Sequence, residues 1–309
     1  MANTSNLSAF RKSPIGVIGL GLMGHGIAQV FASAGFTVNV FDAAEDALRN
    51  AVPRVLENLK QLGADESGAS RIVCFSTLKD AVAECGFIVE CVAENLDLKR
   101  QIFADLEDAA RTDAILASNT SVIPISDIVG NCRTRERMVG THWWNPPYLV
   151  PLVEVIETPW TIPDVVHRTM CLHREIGKTP VHVKKDIPGF IGNRLQHALW
   201  REAISLVDRG ICDAETIDQV VKTSFGPRLA VLGPMENIDL VGVDLTIAIH
   251  EAVLPSLDQS TAPASILFSH KHEGKVGMAV NEGFYSWTDE QKSELRRKIS
   301  ETLSRAYQV

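Results

Sequence analysis

The chain has 309 residues and a formal net charge of −8, with 45% hydrophobic and 22% charged residues. This length exceeds the usual size of a single hydrophobic core, so two domains are expected. The acidic balance argues against a nucleic-acid-binding protein, because phosphate binding needs clustered Lys and Arg.

The six cysteines form no Cys-x-x-Cys pair and show no zinc-like spacing with histidine, so no metal site is predicted. Several lie in apolar runs, such as Cys74 and Cys91, where buried reduced thiols are expected. The N-terminal MANTSNLSAFRK lacks the hydrophobic region of a signal peptide, and no segment reads as a membrane anchor. We therefore expect a cytoplasmic protein.

Up to about residue 185, short apolar runs alternate with amphipathic stretches. The runs are IGVIGL, TVNVF, RIVCF, FIVECV, AILAS and RMVGTH. Alternating strands and helices predict an α/β domain, a doubly wound parallel sheet with helices on both faces, over residues 1–187.

Beyond Pro188 the pattern becomes helical. One apolar face is formed by Ile191, Leu195, Leu199, Ala203 and Leu206. This spacing predicts an amphipathic helix, and the segments that follow are similar. We expect a smaller all-α domain over residues 188–309 that contributes to the substrate site and to dimerisation.

Three glycines in six residues follow the first apolar run. Gly19, Gly21 and Gly24 form the pattern G-x-G-x-x-G between a predicted strand and a predicted helix. The first allows a tight turn, the second lets a pyrophosphate approach the backbone, and the third lets helix and strand pack closely. The pattern alone is weak evidence, because simple turns also produce it. Within a complete βαβ unit it predicts a dinucleotide site in a Rossmann-type fold.

Asp42 ends the second apolar run, where an acidic residue completes the dinucleotide pattern. A carboxylate there binds the adenosine ribose hydroxyls and repels a 2′-phosphate, which favours NAD over NADP. The alternative is that Asp42 only caps a helix in AAEDALRN.

A second informative block is MVGTHWWNPPYLVPLVEVIE, residues 138–157. Two strand candidates flank a turn rich in Asn and Pro, so His142 and Glu154 can face each other across neighbouring strands. A His beside a carboxylate is a general base held in one tautomer. Taken alone, a surface salt bridge explains such a pair equally well. Trp143 and Trp144 are expected to be packing residues, although one can wall a substrate pocket.

The chain resembles the 3-hydroxyacyl-CoA dehydrogenase family over nearly its whole length. The resemblance rests on IGLGLMGHGIAQ, ECVAENLDLKRQIF, ILASNTS, HWWNPP with PLVEVI, KDIPGFIGNRL and GFYSW. It implies an NAD-dependent oxidoreductase that interconverts an L-3-hydroxyacyl substrate and its 3-keto form by hydride transfer.

The resemblance also implies roles for individual residues. His142 is implied to be the catalytic base with Glu154 as its partner, and Ser121 and Asn193 are implied to bond the substrate oxygen. The implied cofactor contacts are Gly19, Leu20, Gly21, Leu22, Met23, Gly24, Asp42, Glu94, Lys99, Ser121 and Asn145.

Four of these residues have ordinary structural alternatives. Ser121 lies past the carboxyl end of a predicted strand, where doubly wound sheets bind ligands, but it can be a turn hydroxyl. Asn193 lies in the first turn of a predicted helix and can be a helix cap. Glu94 and Lys99 can belong to a solvated helix face.

The family includes enzymes for CoA thioesters and, in its gulonate (lambda-crystallin-like), carnitine and pyridine-carboxylate branches, for small hydroxy acids without CoA. Segment 51–72 is short and has Lys60 as its only lysine, whereas CoA phosphates favour nearby positive charge. Ala279 stands where the thioester enzymes carry a Lys in their C-terminal signature. We expect a short-chain 3-hydroxyacyl-CoA, the majority substrate, and hence a role in fatty acid metabolism. A free hydroxy acid is the alternative.

Two other classes compete with this interpretation. A related hydroxyacid dehydrogenase group shares GLGxMG but uses a Lys in a Gly-rich helix, and the sequence shows no such helix. A non-catalytic, crystallin-like NAD-binding protein would keep the glycines but need not keep His142, Glu154, Ser121 or Asn193, all of which are present. The expected partners are a small-molecule substrate and, from the resemblance, a second copy in a homodimer, with no nucleic acid and no membrane.

Overall fold

The computed structural model describes residues 10–307, so most of the N-terminal segment discussed above lies outside the described residues. An eight-stranded sheet occupies the first part of the chain. Its strands are β1 Ile15–Ile18, β2 Val38–Phe41, β3 Ile72–Cys74, β4 Phe87–Glu90, β5 Ile115–Ser118, β6 Met138–Trp143, β7 Leu152–Ile156 and β8 Thr179–Val183. Every apolar run predicted to be a strand forms one. The apolar pattern did not single out β8, because Thr and His interrupt it.

The strands lie in the order β3-β2-β1-β4-β5-β6-β7-β8. All neighbours are parallel except β6 and β7, which pair antiparallel. The order reverses between β1 and β4, and doubly wound sheets bind ligands beyond the carboxyl ends of the strands at such a reversal. Residues 144–151 connect β6 to β7 and are called the hairpin turn below.

Helices cover both faces of the sheet. They are α1 Gly24–Ser33, α2 Glu45–Arg49, α3 Ala51–Leu62, α4 Leu78–Val82, α5 Leu96–Ala109, α6 Ile125–Val129 and α7 Pro163–Glu175, with short 3-10 helices at Glu66–Arg71 and Arg135–Arg137. Successive strand residues point to opposite faces. Val17 accordingly joins a core with Phe31 of α1, whereas Ile18 joins a second core with Leu106 of α5. The predicted α/β fold class is confirmed.

The described chain divides into two compact units, residues 10–193 with 300–307, and residues 194–299. The predicted domain boundary after residue 187 stays a prediction. The remaining helices are α8 Gly192–Asp208, α9 Ala214–Thr223, α10 Pro234–Val241, α11 Val243–Val253, α12 Ser265–His272 and α13 Asp289–Tyr307, with 3-10 helices at Gly226–Ala230, Leu254–Ser256 and Met278–Val280. No strand longer than an isolated bridge occurs in the second unit as described, so its predicted helical character is confirmed.

The second unit has no buried apolar core of its own. Among its described residues no hydrophobic side chain is buried, and Ser205 is the single buried residue of its helices. None of the helices in the described part of the chain is long and apolar enough to span a membrane.

Candidate active site

The glycine-rich loop lies where the strand order reverses. Gly19 follows β1 with a φ of +92°, a left-handed conformation that favours glycine. A Cβ on Gly19 would lie 2.7 Å from the backbone carbonyl of Cys91, which follows the neighbouring strand β4. The first glycine is therefore required for the turn and for the close approach of two backbones.

The other two glycines of the loop have different surroundings. A Cβ on Gly24, the first residue of α1, would overlap the carbonyl oxygen of Gly19. A Cβ on Gly21 would meet no atom within 4 Å, and Leu22 beside it is 66% exposed. The space over Gly21, at the N-terminal end of α1, is therefore open to an anion such as a pyrophosphate. Met23 precedes the helix and makes no side-chain cap.

The carboxylate of Asp42 holds the same loop. It accepts hydrogen bonds from the backbone N–H of Leu20 at 2.6 Å and of Ala44 at 2.8 Å. The N-cap of α2 is Ala44, so the interpretation of Asp42 as a helix cap is wrong. Two backbone donors leave carboxylate lone pairs for ribose hydroxyls. Arg54 of α3 donates to the carbonyl of Leu20 at 3.0 Å, a contact that the sequence did not reveal.

A buried ion cluster lies beyond β4. Lys99 of α5 is 1% exposed, and its Nζ lies 2.8 Å from Glu90 and 3.3 Å from Glu94. Glu90 also accepts from the hydroxyl of Ser118 at 2.6 Å. The burial of Lys99 excludes the solvated-face alternative, because an ammonium is buried only when it is paired.

Glu94 fixes the loop that follows β5. Its Oε1 accepts hydrogen bonds from the Thr120 hydroxyl and from the backbone N–H groups of Ser121 and Val122. Burial raises the pKa of Glu94, but these hydrogen bonds and the charge of Lys99 outweigh it and hold the pKa below its usual value. Glu94 is therefore a fixed anion that orders the backbone around Ser121.

Glu90, Ser118 and Thr120 were not singled out from the sequence. Glu90 carried a usable signal, because it is a carboxylate that closes an otherwise apolar strand, with Lys99 nine residues later. Ser118 and Thr120 carried none, since hydroxyl residues after a strand are typical of ordinary turns.

The antiparallel register of β6 and β7 places His142 directly opposite Glu154. His142 Nδ1 lies 2.7 Å from Glu154 Oε2, and the two side chains are 5% and 1% exposed. Because a carboxylate only accepts, the ring proton lies on Nδ1 and Nε2 carries the free lone pair. Nε2 makes no hydrogen bond with any residue of the described chain.

The second oxygen of Glu154 is held by the start of α8. Oε1 accepts from the backbone N–H of Ile191 at 2.9 Å and of Gly192 at 3.0 Å. Burial raises the pKa of Glu154, but the hydrogen bonds from His142, Gly192 and Ile191 outweigh it, and the pKa lies below its usual value. Glu154 therefore stays ionised in the interior and orients His142.

Ser121 and Asn193 are joined directly. The Asn193 side chain, one residue into α8, donates to the carbonyl of Ser121 at 2.8 Å, so Asn193 does not act as a helix cap. The Ser121 hydroxyl makes no hydrogen bond with any residue between 10 and 307. A continuous series of contacts thus runs from Ser121 through Asn193 and the start of α8 to Glu154 and His142.

Two tryptophans and one predicted cofactor residue complete the area. Trp143 is buried in the core beside α1, whereas the ring of Trp144 lies 5.5 Å from that of His142. The predicted packing role thus fits Trp143, and Trp144 forms a wall beside the base. Asn145 is exposed in the hairpin turn, and its side chain makes no hydrogen bond with another residue of the described chain.

Comparison with known proteins agrees with this geometry. Residues 14–187 match the 3-hydroxyacyl-CoA dehydrogenase NAD binding domain, and residues 189–287 match the 3-hydroxyacyl-CoA dehydrogenase C-terminal domain. The chain belongs to the 3-hydroxyacyl-CoA dehydrogenase family. It is an NAD-dependent oxidoreductase.

Two curated relatives illustrate the range of the family. A 5-formyl-3-hydroxy-2-methylpyridine 4-carboxylate 5-dehydrogenase from Mesorhizobium japonicum is 34% identical over 94% of this chain and 95% of its own length. An L-carnitine dehydrogenase from Streptomyces griseus is 38% identical over 74% of this chain and 69% of its own length.

Two solved structures share the fold. That of a 5-formyl-3-hydroxy-2-methylpyridine 4-carboxylic acid 5-dehydrogenase, an NAD+-dependent dismutase, has a TM-score of 0.87 and 34% identity, covering 94% of this chain and 96% of its own. That of (S)-3-hydroxybutyryl-CoA dehydrogenase from Ralstonia eutropha has a TM-score of 0.74 and 30% identity, covering 90% and 99%.

The residues present fit NAD. The open backbone over Gly21 accommodates a pyrophosphate, and Asp42 offers lone pairs to a ribose. Within the described part of the chain, no group of three or more His, Cys, Asp or Glu residues could hold a metal ion.

The contrast between Gly21 and Gly24 can be tested with one alanine substitution at each position. Gly24→Ala places a methyl group on the Gly19 carbonyl and should lower the free energy of unfolding by about 1–3 kcal/mol. Gly21→Ala meets no protein atom and should change it by less than about 0.5 kcal/mol. The methyl group that Gly21→Ala adds occupies the space proposed for the pyrophosphate, so NADH binding should weaken about tenfold or more. Urea unfolding and NADH fluorescence titration measure both effects. Unchanged NADH affinity in Gly21→Ala would place the cofactor elsewhere.

Proposed function

We propose that the chain oxidises the secondary hydroxyl of a small hydroxy acid with a free carboxylate to the ketone, and catalyses the reverse reduction. The observation that carries this chemistry is the His142–Glu154 pair, buried and joined at 2.7 Å beyond the carboxyl ends of the parallel strands. This is the arrangement of an oriented general base.

When bound, NAD would supply the acceptor for the hydride that leaves the carbinol carbon. His142 Nε2 removes the hydroxyl proton, and the ionised Glu154 stabilises the resulting imidazolium. The free hydroxyl of Ser121 donates to the substrate oxygen, and Asn193 keeps the Ser121 backbone in place through its 2.8 Å hydrogen bond. In the reverse direction, the imidazolium protonates the alkoxide.

The cofactor contacts follow the loop and the ion cluster. The backbone of residues 19–24 binds the pyrophosphate, and Asp42 binds the adenosine ribose. Lys99, Glu94, Ser121 and Asn145 surround the nicotinamide and its ribose in this proposal. The ordered Lys99–Glu94 pair supports the assignment, because an ion pair and hydrogen bonds to the backbone fix its geometry.

Charge favours a substrate without CoA. The connection between β2 and β3 has four basic residues, Arg49, Arg54, Lys60 and Arg71, and six acidic ones, Asp42, Glu45, Asp46, Glu57, Asp65 and Glu66. Its net charge is −2, which is unfavourable for the phosphates of CoA. The greater likeness to the pyridine-carboxylate enzyme, with TM-scores of 0.87 against 0.74, also supports a free carboxylate. The thioester, expected as the majority substrate, is the second candidate.

A substrate panel separates the two candidates. L-3-Hydroxybutyrate, L-carnitine and L-gulonate are compared with L-3-hydroxybutyryl-CoA, and NADH formation is followed by absorbance. We expect turnover with at least one free acid and little with the thioester. Turnover restricted to the thioester would assign the chain to fatty acid metabolism instead. Intact NADH binding without turnover of any alcohol would favour the non-catalytic alternative.

Glu154→Gln tests the base. The N–H groups of Ile191 and Gly192 need an acceptor, so the Gln oxygen stays with them and its NH2 group faces His142. Nδ1 must then accept, the ring proton moves to Nε2, and the base is blocked. We expect kcat to fall roughly 10²–10⁴-fold with NADH affinity unchanged, and His142→Gln to have a similar effect.

A second His–Glu pair provides the control. His182 and Glu157 are also joined at 2.7 Å, but their side chains are 32% and 35% exposed. Glu157→Gln should leave kcat unchanged, because this pair lies outside the proposed site. Equal losses in the two Glu→Gln variants, or near-normal turnover in Glu154→Gln, would contradict the mechanism.

A second copy of the chain is the proposed partner of the helical unit. Met235 and Leu240 of α10 are 68% and 72% exposed, and α11 exposes Leu245, Ile247 and Ile249 around its circumference. Such a concentration of exposed apolar side chains normally marks an interaction surface. Since the second unit has no core of its own, covering these helices in a homodimer supplies one.

Sedimentation of a matched pair of variants tests this assembly. Val253 of α11 and Val73 of β3 are 43% and 42% exposed. The wild-type chain should sediment as a dimer at micromolar concentration. Val253→Glu should shift it towards monomer, because the charge is buried in the interface, whereas Val73→Glu should not. A wild-type monomer would contradict the proposal.

A cytoplasmic location is also proposed. All six cysteines are free thiols, and burial raises the pKa of Cys85 to about 12 and of Cys132 to about 11. Unpaired thiols are typical of a reducing compartment. Recovery of the protein in a secreted or membrane fraction would contradict this location.

A further inference from the structure

Lys178, which the proposed mechanism does not use, lies near the face of the sheet that carries Trp143. Lys178 follows α7 after Gly177, whose φ of +78° turns the chain. Its backbone N–H donates to the carbonyl of His173 at 2.9 Å, which anchors it to the last turn of α7. Its Nζ lies 5.4 Å from the ring centroid of Trp143. Trp143 points to the face of β6 opposite His142, so Lys178 does not reach the base.

The ammonium group of Lys178 is bound by carbonyl oxygens. Nζ donates to the carbonyls of Pro147 and, at 2.9 Å, of Val150. Within residues 10–307 it forms no ion pair with a carboxylate. Burial lowers its pKa to about 8. Removing an ammonium from water without an opposite charge is unfavourable. The position of Lys178 is explained by its hydrogen bonds to these two carbonyls. It is not explained by neutralisation of a carboxylate.

The hairpin turn is held from the other side by α1. A Cβ on Gly26 would lie 2.6 Å from the ring of Pro147 and 3.3 Å from that of Tyr148, so the turn packs on the helix that begins at the glycine-rich loop. The N–H groups of Leu149 and Val150 both donate to the carbonyl of Pro146 at 3.0 Å. The turn is therefore a compact unit fixed between α1 and Lys178.

Asn145 is the second residue of this turn and depends on it for its position. It is exposed, and its side chain makes no hydrogen bond with any other described residue. We propose that Lys178 is a positioning residue for the cofactor. By binding the carbonyls of Pro147 and Val150, Lys178 holds Asn145 at the nicotinamide ribose of NAD. The inference rests on the proposed contact between Asn145 and the cofactor.

Binding of two ligands tests it, because ADP lacks the nicotinamide ribose. Lys178→Met should raise the dissociation constant of NADH about tenfold or more and leave that of ADP within about twofold. The exposed Lys79→Met, on α4, should change neither constant. Equal weakening of both ligands would show that Lys178 supports the domain as a whole. Unchanged NADH binding would remove any role for it. Either result overturns the proposal.

A double-mutant cycle tests the route through Asn145. Asn145→Ala alone should weaken the binding of NADH and leave that of ADP unchanged. The double variant with Lys178→Met should bind NADH no more weakly than the worse single variant. Fully additive effects would overturn the proposal. If Lys178→Met does not fold, Lys178→Gln is used in its place. The Gln side chain retains a donor for one carbonyl, so we expect a smaller rise in the dissociation constant of NADH. These measurements use binding alone, so failure of the substrate panel leaves them interpretable.

Discussion

The carboxylate of Glu154 is the interaction on which the site depends. It is buried, and its two oxygens accept one hydrogen bond from His142 and two from the backbone at the start of α8. One anion therefore fixes the tautomer of the base, its orientation and the backbone of Ile191 and Gly192, next to Asn193. Losing these hydrogen bonds would leave a buried charge without partners, which is costly. The same hydrogen bonds of this carboxylate therefore contribute to the stability of the fold and fix the geometry of the catalytic groups.

Two lysines of the first unit are held in different ways, Lys99 fully buried and Lys178 partly buried. Lys99 is paired with Glu90 and Glu94, so its charge is balanced, and the cluster orders the loop that carries Ser121. Lys178 has backbone carbonyls as its ligands, and burial lowers its pKa to about 8. The first arrangement keeps a charge permanently in place, whereas the second uses a charge to hold a turn. Both hold backbone segments in one geometry, and a site held in this way has a lower ordering cost of binding.

The two units differ in how they reach stability. The first unit has two apolar cores between its sheet and the flanking helices, and these cores hold its loops in one geometry. The second leaves its apolar helix faces exposed within a single chain. In the proposed homodimer, association supplies the core that the helical unit lacks, and the stability of that unit then depends on protein concentration. In the proposed dimer, assembly completes the fold of the helical unit and is not an addition to it.

The sequence by itself determined seven of the eight strands, the alternation of strands and helices along the chain, and the types of residue at the site. Local patterns are sufficient for this, because continuous apolar runs, the spacing of Gly19, Gly21 and Gly24, and residues placed just after strands are encoded within short segments. Apart from the pairing of His142 with Glu154, the tertiary structure alone decided which groups meet. The burial of Lys99, the binding of Asp42 to the loop instead of to a helix, the role of Glu90 and the contacts of Lys178 all join residues distant in sequence or depend on desolvation. Helical spacing cannot distinguish a solvated lysine from one enclosed by two carboxylates, because the enclosing residues come from elsewhere in the chain.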